Sequence, residues 1–198
     1  MAEPSISARY PKIAPMTTIV GVQGEGFALL AADSQITDGD RKIISLSTPK
    51  IVKIGKYLLG VSGDCRPGDI LTFNWKPPIY TGTDPVAFMG KKVIPSMLEA
   101  FKNNGYDHNK EGVSFSYLLA FGGHIFEIAD DFSMSQCHNG IYNIGSGGIY
   151  AVGYLSGVAD AVIKDVKSAK RHALKALEIS ASLDINTCAP FQVEVQTL

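Results

Sequence analysis

The residue best equipped for chemistry is Thr17, in the run Met16-Thr17-Thr18-Ile19-Val20-Gly21. A threonine at the start of a strand is ordinary in itself. Once Met16 and everything before it are removed, one residue carries both a hydroxyl and a free α-amine. That amine titrates near about 7.7–8.0 and can act as a base at neutral pH. A Thr hydroxyl activated by its own N-terminal amine is an established kind of nucleophile. Other chemically tempting residues read as bland. The four histidines are isolated, and His108 and His138 fall in polar loops. Neither an HExxH motif nor a paired-carboxylate metal site is present. Cys65 follows Asp64 in a turn, with no histidine suggestively placed beside it. Trp75, in NWKPPIY, reads as a packing or subunit-contact residue.

The elements that must position Thr17 follow from pattern. TTIVGV, the turn QGEG and FALLAADS form a hairpin, and FALLAA is apolar on both faces, as in a covered sheet. RKIISLS, KIVKIG and KYLLGVSG read as further antiparallel strands. Asp84 and Pro85 open a helix that Pro95 should kink and Asn104-Gly105 ends. VSFSYLLAF and HIFEIADD pair around Gly122-Gly123. A glycine-rich turn and a helix follow from Asn143. Ser168 would cap a second helix, with Ala173, Leu174, Leu177 and Leu183 on or near one face. FQVEVQTL alternates as a half-buried strand does. The helices are grouped and not interleaved one-for-one with strands, which implies an α+β fold of antiparallel sheets with segregated helices.

Composition sets the outer bounds. The chain has 198 residues, enough for one ordinary domain. Hydrophobic residues are 45% and charged residues 19%, a globular balance. A net charge of −1 gives no basic footprint for nucleic acid. No apolar run approaches the roughly 20 residues of a membrane span, and residues 1–16 lack the apolar core of a secretory signal. Three scattered cysteines form neither a disulfide framework nor CxxC spacing, so a reducing cytoplasm is the expected compartment. Residues 1–16 carry Pro4, Pro11 and Pro15 and read as a leader or tail, and residues 17–198 as one domain.

The stretch TTIVGVQGEGFALLAADSQIT resembles the opening of the threonine peptidases of the proteasome β-subunit and HslV family. Asp33 in AADSQIT and Lys50 in TPKIVKIG match the family's next landmarks, and Gly145-Ser146-Gly147-Gly148 and HALKALEIS match later ones. The match is loosest over residues 66–112. The resemblance implies a four-layer αββα sandwich of the Ntn-hydrolase type. It gives Lys50 the role of a cation that lowers the pKa of the Thr17 groups and stabilises the alkoxide. Asp33 then pairs with Lys50 and keeps it charged and aimed. Ser146 is either a helix cap or a proton relay beside the Thr17 amine. Gly63 presents its N–H to the oxyanion, and Val61 lines the pocket for the side chain before the scissile bond. Near the C-terminus two alignments compete. One puts a carboxylate at Asp184, with Thr187 three residues on; the other puts Ser182 at that place. Asp184 is preferred, since a carboxylate orients an amine better than a serine does. The carbonyls of Ala181, Asp184 and Thr187 are candidates to hold a monovalent cation such as Na+, and no organic cofactor is implied.

The function this resemblance implies is an N-terminal-threonine peptidase in homo-oligomeric rings of six or seven subunits, stacked in pairs and fed by an ATP-dependent unfoldase. Two rivals remain: a non-catalytic, unprocessed ring subunit, and a small-molecule Ntn amidohydrolase. The Met16-Thr17 junction is itself ambiguous. Either translation starts at Met16, and aminopeptidase removal of Met exposes Thr17, or a real leader must be cut by attack of the Thr17 hydroxyl on the Met16 carbonyl. Self-cleavage needs a tight turn that Gly permits and Met resists, and Pro15 restricts the segment further.

Overall fold

In the computed structural model the described residues are 16–38, 41–44, 47, 49–110 and 114–198. The leader expected at residues 1–16 lies outside them, apart from Met16. Eleven strands and six α-helices are described, and the layering follows from which face of each strand is apolar.

Strands β1 (Ile19–Gly24) and β2 (Phe27–Ala32) form the expected hairpin, with Gly26 at φ +78° in its turn. They sit at the centre of a four-stranded sheet ordered β10-β1-β2-β11, with β10 at Ile141–Ile144 and β11 at Gln192–Thr197. A second sheet runs β5-β6-β7-β8-β9, from β5 (Ile51–Ile54) and β6 (Tyr57–Gly63) through β7 (Phe115–Phe121), β8 (His124–Ile128) and β9 (Met134–Ser135). A separate hairpin pairs β3 (Gln35–Asp38) with β4 (Arg41–Ile44).

Every residue of β2 is buried because both of its faces are covered. Ala28, Leu30 and Ala32 join Ile19, Leu58, Leu118 and Ile125 between the two sheets. Leu29 and Ala31 face outward against Leu155, Ala169, Ala173 and Leu177 of the helices. The second sheet turns its outer face, including Leu59, Tyr117, Leu119 and Phe121, to a third cluster containing Ile70, Met97 and Phe101. Burying one such side chain is worth about 1.5–3 kcal/mol, so these three apolar layers hold four layers of backbone together. The expected αββα sandwich is the observed architecture.

The helices depart from expectation in detail. Helix α1 (Cys65–Asn74) was not foreseen; Gly68 and Pro67 interrupt its pattern, yet both are buried against β6. Cys65 is therefore the first residue of a helix and not part of a turn. The helix expected from Asp84 is three pieces: α2 (Pro85–Phe88), a π-helical segment Met89–Val93, and α3 (Ile94–Asn103). Asp84 caps it as expected, accepting the Ala87 N–H at 2.9 Å. The irregularity lies just before Pro95: the backbone stays helical from Pro85 to Asn103, and the wider π-helical turn immediately precedes the residue that supplies no N–H. Helices α4 (Gly148–Gly157), α5 (Ala159–Val162) and α6 (Val166–Leu183) follow. Asp165, not Ser168, caps α6: its carboxylate accepts the Ser168 N–H at 2.8 Å. Leu183 is exposed, because α6 ends there and leaves the apolar face. Trp75 is a packing residue, buried edge-on against Tyr57 with its indole N–H on Ser96. No helix among the described residues is long and apolar enough to cross a membrane.

Candidate active site

The β1–β2 register decides where Asp33 goes. Ile19 pairs with Ala32, and one step further the Asp33 N–H donates to the Thr18 carbonyl at 3.1 Å. Thr18 returns its own N–H to Asp33 Oδ1 at 3.0 Å. Lys50 stands just before β5, fixed there because its carbonyl accepts the Val61 N–H at 3.2 Å. From that point its side chain reaches Asp33 Oδ1 at 2.6 Å. The other carboxylate oxygen accepts the N–H groups of Gln35 at 2.9 Å and Cys188 at 3.3 Å. Four donors saturate a carboxylate's capacity. Asp33 is thus held rigidly, one residue along from Thr17.

Thr17 itself is 6% exposed. The glycine-rich segment closes over it: the Gly147 N–H donates to the Thr17 carbonyl at 3.4 Å. A Cβ on Gly145, which sits at φ +88°, would run into that same carbonyl, and one on Gly147 would strike the Thr18 and Thr187 hydroxyls. These glycines are required for close approach and not merely for a turn.

A second polar cluster lies on the far side of the glycines. Ser146 Oγ donates to Asp184 Oδ2 at 3.0 Å, and Thr187 Oγ1 donates to the same oxygen at 2.6 Å. Thr187 has then spent its one proton, so Thr18 must be the donor in the 2.5 Å bond between their hydroxyls. The chain of hydroxyls runs from Thr18 through Thr187 to Asp184. Ser146 gives α4 no side-chain cap; Gly147 holds the cap position. Of the two alignments, geometry supports Asp184, since Ser182 is exposed and bonds only Ile179 within its helix.

Gly63 and Val61 both lie at the end of β6. Gly63 ends β6 at φ +97°, and a Cβ there would collide with the Ser114 carbonyl. Glycine is imposed by the backbone at this point, whatever else its N–H does. Val61 packs onto Gly68 of α1, and the recess beside the start of α1 is lined by Asp64, Cys65, Arg66, Gly105, Tyr106, Asp107 and Lys110, without Val61. The Asp184 carbonyl already accepts the Thr187 N–H at 3.2 Å. One of that oxygen's two lone pairs stays free, so the bond does not bar the carbonyls of Ala181, Asp184 and Thr187 from a monovalent cation, and nothing below depends on one. Among the described residues no cluster of His, Cys, Asp and Glu is suited to a metal ion.

Burial pushes the Lys50 ammonium below the ordinary lysine value of 10.5, and the opposing pull of Asp33 does not fully restore it. Asp33 favours the charged form of Lys50 against that burial, by its charge and its hydrogen bond, as its expected role requires. The Cys65 thiol is raised, first by burial and then by Asp69 and Asp64, which disfavours a thiolate nucleophile. The Lys50 shift has a kinetic consequence. If the ammonium stabilises the alkoxide, kcat/KM should fall with rising pH before 10.5, the free-lysine value. Because the folded chain holds this proton less tightly than the unfolded one, the burial cost is full below the folded pKa and relieved as pH rises towards 10.5. Circular dichroism over the same range would confirm that the fold persists; a rate that holds through pH 10.5 would remove the charged lysine from the mechanism.

Thr18 and the Thr187 hydroxyl were the participants that sequence reasoning did not assign. Counting the β1–β2 register outward would have paired Thr18 with Asp33. The Asp184-to-Thr187 spacing did single out Thr187, but assigned its hydroxyl no role.

Two antiparallel sheets between helices, with a threonine starting a central strand against a buried aspartate–lysine pair, define a protein of the Ntn-hydrolase fold class. Comparison with known proteins agrees. The proteasome subunit family model matches residues 16–72. The ATP-dependent protease subunit HslV of Caldicellulosiruptor saccharolyticus is 26% identical over 174 residues, covering 86% of this chain and 93% of the relative. The same subunit from Borrelia duttonii is 27% identical over 173 residues, covering 86% and 92%. Among solved structures, Thiobacillus denitrificans BPH in complex with epoxomicin shares the fold at TM-score 0.72 and 23% identity, covering 92% of this chain and 99% of that one. Eukaryotic HslV from Trypanosoma brucei shares it at TM-score 0.67 and 22% identity, covering 92% and 100%. The chain is thus similar to the proteasome subunit family over residues 16–72, and over most of its length to relatives named as ATP-dependent protease subunits HslV.

Proposed function

We propose that this chain is the N-terminal-threonine peptidase subunit of a self-compartmentalising, ATPase-assisted protease. The observation that carries the reading is Asp33 Oδ1, which takes Lys50 Nζ at 2.6 Å and the Thr18 N–H at 3.0 Å, one residue from Thr17. That arrangement supports a role for the Lys50 cation at the proposed nucleophile and leaves neither charge unpaired. The Thr17 hydroxyl attacks a peptide carbonyl and passes its proton to the freed α-amine. Lys50 stabilises the alkoxide as it forms, and the Gly63 N–H faces the oxyanion. The C–N bond breaks as the α-ammonium returns the proton to the leaving amine, leaving an ester on Thr17. Water, deprotonated by the same amine, attacks the ester and regenerates the hydroxyl. Asp184, Ser146 and Thr187 hold the hydroxyl chain that orients Thr18 and, through it, the start of the strand.

The partners in this reading are copies of the chain in stacked rings, with the sites inside, and an unfoldase that feeds them protein in the cytoplasm. The relatives named as ATP-dependent HslV subunits support that assignment. Enclosure fits the chemistry, since a broad peptidase with no domain to restrict access would damage the cell that makes it.

Exposure of Thr17 is the step to test. A chain beginning at Met16 should lose Met and hydrolyse peptides, while the 198-residue chain should cleave itself slowly or not at all. N-terminal sequencing and peptidase assays of both would check this. Rapid, complete self-processing of the longer chain would show that the Met16-Thr17 junction bends as readily as a Gly-Thr one. A Thr17-initiated chain with no peptidase activity would contradict the assignment itself.

A further inference from the structure

Next to the last residue of β6 stands a hydroxyl with no partner among the described residues. Its alternate residues Leu58 and Gly60 face the space between the sheets: Leu58 lies in that core, and a Cβ on Gly60 would touch Ile19 at 3.1 Å. Ser62 is the next residue on the same face. The pattern calls for an apolar side chain there. The residue is instead a serine, 1% exposed, whose Oγ has no hydrogen-bond partner among the described residues. A buried polar group left unpaired works against stability, and each such exception in a folded protein needs a reason.

Its surroundings supply one. Ser62 Oγ lies 3.1 Å from the position a Cβ on Gly145 would take, and that same Cβ would run into the Thr17 carbonyl. Both groups therefore approach the point where Gly145 lacks a side chain, the hydroxyl to 3.1 Å and the carbonyl oxygen closer still, and so lie close to one another. One water can bridge groups at such a separation. The Thr17 carbonyl is otherwise held by the Gly147 N–H, at a long 3.4 Å.

We propose that Ser62 is a positioning residue, whose hydroxyl donates through one bridging water to the Thr17 carbonyl. Together with the Gly147 N–H it fixes the peptide plane from which the Thr17 hydroxyl and α-amine both project. Small losses of orientation at a reacting group cost rate and not affinity, so Ser62 acts on kcat. The inference rests on the reading of Thr17 as nucleophile.

The test is Ser62→Ala in a chain that starts at Thr17, alongside Ser62→Cys and Thr17→Ala. The alanine variant should lower kcat about tenfold with KM unchanged, and its Tm should stay close to the parent's, since the substitution removes no apolar packing and the water can still bond the Thr17 carbonyl. The cysteine variant, with a weaker donor of similar shape, should fall between. A kcat for Ser62→Ala equal to that of the parent would overturn the proposal. So would a drop in kcat accompanied by a lower Tm and a raised KM, which would mark Ser62 as a packing residue. If the parent hydrolyses no peptide that Thr17→Ala fails to hydrolyse, the peptidase reading has failed, and the Ser62 role falls with it.

Discussion

Replacing Thr17 by alanine should abolish peptide hydrolysis while leaving the fold in place. The residue is small and precedes the first residue of β1, and its backbone bond with Gly147 involves no side-chain atom. Alanine keeps that bond and the α-amine and removes the hydroxyl. Loss of a covalent nucleophile costs roughly 10⁴–10⁶ in rate in other hydrolases, which would put the variant at the floor of a peptidase assay. Serine at this position keeps both groups and should retain measurable activity. Peptide turnover and Tm for the three chains would check it; an undiminished rate for Thr17→Ala would exclude the mechanism.

The second large effect is expected at Lys50. Its side chain is 9% exposed and bonded at 2.6 Å to an Asp33 side chain with no exposure at all. Lys50→Ala should lower kcat/KM by orders of magnitude, because the cation proposed to stabilise the alkoxide is gone. It should also cost about 3–5 kcal/mol of stability, since it strands a buried carboxylate. The rate must therefore be taken on the folded fraction, measured by circular dichroism. A loss below about tenfold, or about 1.4 kcal/mol, would contradict the role. From sequence, Asp33→Asn would be the milder change, as it spares the cation. The structure reverses that expectation. The carboxylate accepts four donors, and an asparagine NH₂ must face either the Lys50 and Thr18 donors or the Gln35 and Cys188 N–H groups. Either orientation opposes donor to donor, so Asp33→Asn should be as damaging as Lys50→Ala.

What the sequence disclosed depended on how local each signal was. The β1–β2 hairpin was legible because its apolar runs flank a short glycine turn, and that hairpin alone brings Asp33 to Thr18. The four layers were legible as a resemblance, and the all-apolar FALLAA run pointed the same way. Helix α1 was hidden because Pro67 and Gly68, both weak helix signals, are selected by close packing beneath Val61 and not by propensity. The Asp165 cap was displaced by a serine three residues on that also suits the role. Ser146 was undecidable from its neighbours, since its partner Asp184 is 38 positions away in the chain. Ser62 gave no local signal: a serine in a strand is unremarkable until its neighbours are seen to offer it nothing.

The central claim is that Thr17, and no other residue, is the nucleophile. The most direct measurement is to treat a chain beginning at Thr17 with a peptide vinyl sulfone, an electrophile that captures hydroxyl and thiol nucleophiles alike, and to locate the adduct by tandem mass spectrometry. The account predicts one adduct, on Thr17, absent from Thr17→Ala and formed in step with loss of peptidase activity. An adduct on Cys65 that tracks the loss of activity, with Thr17 unmodified, would contradict it.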